Sequence, residues 1–301
     1  MNFLPLSDAA ARQAIDAAGV HQEWLRTTQA ARKFSGGMYF KREGGHEYLV
    51  RTAPDNRQKR LGKRSPETEA VYQAFTHGKQ QIEARKKSLD EALREAERLN
   101  KALKVGRVPN VVVNVLQALE TAGLAAHFTV VGTHALYAYE AAAAVRIQAG
   151  ALATQDVDLL WDARKRVQFM STMAQLDTSM LKILQRADAS FRRMGAQLES
   201  VVNDKGFMVD FLRREAVGDE DDIWPVQAQR AQAFLETPHF EQVIVSVTGR
   251  MALMRTIAPT VFVDFKRWLA TLHSRPAGKR RRDTLQADIV AHLLSEGMLM
   301  G

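Results

Sequence analysis

The chain has 301 residues and no cysteine, which excludes disulfides, thiolate nucleophiles and cysteine-ligated zinc. Hydrophobic residues make up 46% and charged residues 25%, the balance of a globular protein, and no apolar run approaches the ~18 residues of a membrane span. The formal net charge is +8, a surplus that suits a polyanion or simply a well-solvated surface. The first residues lack a basic stretch followed by an apolar core, so a cytoplasmic protein without a secretory signal is expected.

Ser7 is an N-cap for a helix whose apolar residues recur from Ala14 to Trp24, and Gly36 and Gly37 end it near Lys33. "MYFKREGGHEYLVRTA" reads as a β-hairpin turning at Glu43, Gly44 and Gly45. The basic run Arg57, Lys59, Arg60, Lys63 and Arg64 follows as an exposed loop. Ser65, Pro66, Glu67 and Glu69 form a helix start, and Ala/Glu/Lys/Leu-rich sequence carries that helix to about Leu103, with a weak point at Gly78. A further helix runs from Pro109 to about Ala122.

An α/β rhythm comes next. "AHFTVV" (126–131) is a strand, "GTHALYAYEAAAA" (132–144) a turn into a helix, and "DVDLLW" (156–161) a second strand. Residues 164–176 and 179–194 read as helical. "AQLESVV" and "FMVDFL" form a hairpin around Asn203–Gly206 over 196–212, and "EQVIVSVTGRMALM" adds strand. From Pro259 the chain is helical in two pieces joined by a basic Gly/Pro linker, 274–279. A second basic block, Lys279–Arg282, lies beside it with Arg275 just upstream.

Three motifs carry chemistry. In a strand, residues i and i+2 face the same way, so Asp156 and Asp158 project together while Val157 and Leu159 face the other side. Two adjacent carboxylates repel, and a divalent cation resolves that repulsion with hard oxygen ligands. On three residues alone, a solvated strand end is the simpler reading. Upstream, Gly132 and Thr133 sit where a strand runs directly into a helix, a corner that offers backbone N–H groups and a hydroxyl to phosphate; an ordinary capped turn is the plainer alternative. Downstream, Asp210 interrupts an apolar strand, which is costly unless it is paired, binds a metal or faces solvent from an edge strand. A phosphate corner, a paired DxD and a third carboxylate, in that order, are what transfer of a nucleotidyl group requires.

"GTHALYAYE", "TQDVDLLWD" and "MVDFL" resemble the nucleotidyltransferase superfamily with the DNA polymerase β-like fold, and more closely a bacterial group of uncharacterised nucleotidyltransferase-like proteins. The likeness extends through "GGMYFKREGGHEYLVRT" and "IAPTVFVDFKRWL", covering roughly 35–295. The resemblance implies an α/β (α+β) core with a short mixed sheet at 105–257. It places a helix, hairpin and long-helix region at 1–104 and a helical C-terminal region at 258–301. It implies that Gly132 and Thr133 bind phosphate, that Asp156, Asp158 and Asp210 hold Mg²⁺ or Mn²⁺ and carry catalysis, and that Lys266 reaches the triphosphate of an NTP. The implied activity moves an NMP from an NTP such as ATP to an acceptor hydroxyl on RNA, a tRNA end, a protein or a small molecule, and releases pyrophosphate. RNA or an acidic partner would use Arg57–Arg64 and Lys279–Arg282. A degenerate module on the same fold, binding nucleic acid or a partner, is the alternative, and half of a toxin–antitoxin-like pair is a third. The chain departs from the superfamily pattern in having Thr133 where Ser or Gly is common, and in a longer spacer between Thr133 and Asp156, which either lengthens the helix or inserts a loop.

His134 reads as a cap or surface residue, Trp161 and Trp268 as core, and Glu140 and Asp162 as solvated. No GxSxG, GxGxxG or GxxxxGK[ST] motif is present.

Overall fold

The structure, a computed structural model, describes residues 3–194, 197–212, 234 and 236–300. Two compact units divide the chain: residues 15–98 form one, and residues 1–14 with 99–301 form the other.

A short strand, β1 (Phe3–Pro5), belongs to the larger unit, and the smaller unit is built on a three-stranded antiparallel sheet. Strands β2 (Gly37–Glu43), β3 (His46–Thr52) and β4 (Gln58–Lys63) pair in the order β2-β3-β4. Gly44 and Gly45 both adopt positive φ (57° and 79°), the conformation a tight two-residue hairpin turn requires. The basic run expected as a loop is β4 instead. It lacks alternating apolar residues because most of its side chains are exposed, and the backbone of β3 supplies the pairing. Helices α1 (Asp8–Ala31) and α2 (Pro66–Ala102) pass through this unit. Trp24 Nε1 donates to Asp90 Oδ1 at 2.7 Å, and Arg85 pairs with Glu23 at 2.7 Å. Gly78 does not break α2: it lets the Phe34 ring lie against the helix, where any Cβ would collide.

The larger unit contains a seven-stranded mixed sheet. Its strands are β5 (Phe128–Val131), β7 (Asp156–Trp161), β8 (Arg192–Met194), β9 (Gln197–Val202), β10 (Met208–Leu212), β11 (Phe240–Val245) and β12 (Met251–Thr256), in the order β11-β12-β5-β7-β10-β9-β8. β7 is antiparallel to β5 and parallel to β10. Val157, Leu159 and Val209 are fully buried on the face opposite the aspartates and join the core with Val130, Ile244 and Met254. Helix α3 (Asn110–Thr121) contributes Val112, Val113 and Leu119 to this core, with Pro109 just before its first residue.

Helix α4 (Ala135–Ala142) follows a 3₁₀ turn at Gly132–His134. The long spacer that follows holds β6 (Val145–Ile147), which pairs with β1, and a single helical turn, α5 (Ala149–Leu152). Helices α6 (Arg166–Leu176) and α7 (Met180–Gln185) lead to β8, so the expected helix over 179–194 ends early. The Arg192–Met194 segment has no apolar alternation and pairs with β9 as an exposed edge. The expected hairpin over 196–212 corresponds to β9 and β10; its first residue, Ala196, lies outside the described residues. Helices α8 (Pro259–Thr271) and α9 (Ala277–Ser295) close the chain. α9 begins inside the segment expected as a linker, so Lys279–Arg282 form its first turns. Among the described residues, no helix is long and apolar enough to cross a membrane.

Candidate metal and nucleotide site

Asp156, Asp158 and Asp210 converge on one face of the sheet. Asp158 and Asp210 are register partners across the parallel β7–β10 pair, and Asp156 lies two residues before Asp158, opposite Met208. Each of the three carboxylates offers an oxygen, and these atoms all lie within 4.8 Å of one another. Period-2 geometry places the pair; parallel pairing between segments some fifty residues apart in sequence delivers the third acid.

The electrostatics follow from this crowding. Burial, and then the neighbouring charges of Asp156 and Asp210, push Asp158 up to about 7. Asp210 is also raised, chiefly by burial, although a hydrogen bond with its register partner Ser200 opposes the shift. Thr154 Oγ1 donates to Asp156 Oδ1. A set of hard oxygen donors carrying more negative charge than burial favours suits a divalent cation, and Mg²⁺ takes oxygen ligands of this type.

Gly132 and Thr133 lie immediately beside this cluster. Val131 opposes Asp158 across β5–β7, and Gly132 has φ +72°. A Cβ at Gly132 would run into Asp158 Oδ2. The glycine therefore makes room for a site carboxylate as well as for the turn. Thr133 is buried, and its Oγ1 accepts a hydrogen bond from Gln286 Nε2 at 3.2 Å. Gln286 Nε2 also donates to the Ala151 carbonyl at 2.6 Å, tying α9 to the corner and to α5.

Lys266 of α8 is buried, and its Nζ donates to Asp283 Oδ1 at 2.9 Å. Burial lowers its pKa, while Asp283 and, more weakly, Asp158 favour its charged form. Arg275 also binds Asp283. The charges of Lys266 and Arg275 both act to lower Asp158. Arg282 Nη1 donates to the Ala153 carbonyl at 2.5 Å, anchoring the loop that enters β7.

His134 is buried, not at the surface. Its ring contacts Tyr137 and Phe207, and burial lowers it to about 4 against the opposing pull of Asp156. Glu140 and Asp162 are likewise buried rather than solvated. Glu140 pairs with Arg107 and Arg146 and accepts from the Ile147 amide, and Asp162 accepts from Arg164 Nε at 2.8 Å. Glu140 thus organises the long spacer.

Gln286 and Asp283 escaped the sequence reading. Their signal lies in the buried stripe of α9, where residues 283, 286, 287, 290 and 293 recur at helical spacing. An acid and an amide inside such a stripe mark buried polar contacts.

The parallel β7–β10 pair of a mixed sheet thus carries a DxD and a third acid, with a glycine turn into a helix on the adjacent strand β5. The family model described as nucleotidyltransferase matches residues 110–298, more than half of the chain, and the chain belongs to that family. No curated protein and no solved structure matches it.

Proposed function

We propose that the protein transfers a nucleoside monophosphate from an NTP to an acceptor hydroxyl, with a divalent cation, Mg²⁺ or Mn²⁺, at the three aspartates. The observation that carries this reading is the meeting of Asp156, Asp158 and Asp210 oxygens within 4.8 Å on one sheet face. A bound cation supplies charge neutralisation for the triphosphate and a lowered pKa for the attacking hydroxyl. Asp156 and Asp158 hold it from β7, and Asp210 completes the ligand set. Asp210 also accepts the proton of the acceptor hydroxyl as its oxygen attacks the α-phosphorus and the bond to pyrophosphate breaks. The Gly132 turn and the Thr133 hydroxyl hold phosphate oxygens, and Lys266 adds positive charge behind them. RNA is the acceptor that the basic surplus of the chain favours.

The test is incubation with Mg²⁺, each α-labelled NTP and total RNA or lysate, beside an Asp156→Ala/Asp158→Ala variant. Label in RNA that depends on both aspartates supports the reading and its acceptor. Label in protein or a small molecule reassigns the acceptor. No label, or label unaffected by the substitutions, sinks the transferase.

A further inference from the structure

The outer face of the three-stranded sheet in the smaller unit presents a second candidate site, remote in chemistry from the aspartates. Strand register arranges its side chains in rows. One row runs Lys41, Tyr48, Lys63 across β2, β3 and β4; the next runs Tyr39, Val50, Arg60, with Val50 buried at its centre and Tyr48 half-buried beside it. The opposite face is turned to α2, where Phe40 meets Tyr72 and Arg51 lies over Phe75. Tyr39 is 38% exposed, and Lys41, Arg60 and Lys63 are exposed as well. The Arg60 guanidinium sits 4.1 Å from the centre of the Tyr48 ring and is also paired with Glu43 at 2.5 Å.

Two features set this face apart from an ordinary solvated sheet. On this face the strands carry Lys41, Arg60 and Lys63 against the single acid Glu43, while Arg42, Arg51 and Lys59 belong to the opposite face. That charge is interleaved with flat π surfaces. Tyr39 and the stacked Arg60–Tyr48 pair lie on diagonal positions of neighbouring strands, ~7–8 Å apart. Lys41 and Lys63 flank Tyr48 on either side and have no carboxylate partner among the described residues. A depression at the hairpin end is lined by His46 and Lys63 of this face and by Arg42, Glu47 and Arg64 of the opposite one.

We infer that this sheet face binds a single-stranded polynucleotide, its bases stacking on Tyr39 and on the Arg60–Tyr48 pair and its phosphates lying along Lys41 and Lys63. Sequence-tolerant single-strand binding combines these two elements, aromatic or guanidinium planes for the bases and a cationic track for the backbone. An acidic protein segment would match the charge but has no use for exposed stacking planes, and a duplex keeps its bases stacked on one another. The inference does not rest on the transfer chemistry.

The experiment measures binding of a fluorescent 12-nucleotide single-stranded RNA to the full chain over a range of salt, with duplex RNA and poly-glutamate as competing probes. The single strand is expected to bind more tightly than either. Tyr39→Ala should weaken the single strand about tenfold and leave poly-glutamate unchanged, and Tyr39→Phe should restore it. Lys41→Gln/Lys63→Gln should weaken all polyanions and reduce the salt slope by about 1.4, the value for two phosphate contacts on a single strand. Tyr39 is exposed enough that its truncation spares the fold, and a thermal melt checks this. Asp156→Asn/Asp158→Asn should bind the RNA as the unaltered chain does even where label transfer is lost, so the two readings fail separately. Equal or tighter binding of duplex or poly-glutamate, unchanged binding by Tyr39→Ala, or loss of binding in the aspartate variant each overturns the assignment.

Discussion

Replacing Asp158 by Asn should stabilise the metal-free protein at alkaline pH while destroying its site. Burial and the charges of Asp156 and Asp210 raise Asp158 from the ordinary 3.8 to about 7. Between those values the folded chain keeps a proton that the unfolded chain has released, so folding stability falls as pH rises through that window. At ~1.4 kcal/mol per tenfold change in proton affinity, the cost reaches ~4 kcal/mol above pH 7 and vanishes below about pH 4. Asn carries no charge at any pH and escapes this cost. Urea unfolding of both proteins in EDTA at pH 8, 6 and 4 should show the variant more stable by up to ~4 kcal/mol at pH 8, with the gap closing as pH falls. Added Mg²⁺ should raise the midpoint of the unaltered chain more than that of the variant, since a ligand stabilises the state that binds it. The three carboxylates interact strongly, so the titration belongs to the cluster as a unit. A variant no more stable than the unaltered chain at pH 8, or a difference that does not change with pH, would show that the carboxylates are not electrostatically crowded.

Three other substitutions and titrations probe the surrounding scaffold. Gly132→Ala forces a Cβ into Asp158 at φ +72°. It should cost ~1–2 kcal/mol in chemical denaturation and reduce nucleotidyl transfer by about 10²-fold, the scale of a 1 Å misplacement. Lys266→Met leaves the buried Asp283 with Arg275 alone and should destabilise the fold by ~3–5 kcal/mol. Adding Asp283→Leu should recover much of that loss, and a double variant no more stable than the single would show that the Lys266–Asp283 pair is not the cause. His134, lowered to about 4 by burial, stays neutral from pH 5.5 to 8. Its ring protons should therefore show no titration by NMR over that range, and its contribution to stability should be lost only as pH falls below about 6.5, where the unfolded imidazole takes up its proton.

Local chemistry was legible where side-chain period and turn residues act within a few positions. "DVDLLW" reads as a strand with both aspartates on one side and Val157 and Leu159 on the other because β side chains alternate. The same logic marks Asp210 within "MVDFL", and Gly44–Gly45 as a hairpin turn. Segments whose shape depends on a distant neighbour were not legible. β4 and β8 are strands without apolar alternation, held by the backbones of β3 and β9 and not by a buried face of their own. Lys279–Arg282 became helix because α9 packs its stripe of Asp283, Gln286, Ile289 and Val290 inward, which extends helical order back through the basic block.

The sequence by itself determined that two carboxylates share one side of a strand, that a third interrupts another strand, and that a glycine opens the turn before a helix. These follow from backbone periods and from the conformational freedom of glycine, which need no tertiary partner. Only the tertiary structure decided that Asp210 stands in register with Asp158, that Gly132 is the residue against which Asp158 lies, and that Asp283 and Gln286 bind Lys266 and Thr133. Those contacts join residues from about 20 to over 150 positions apart. Strand order and helix packing set them, through the burial of a shared core, and no local period records that choice.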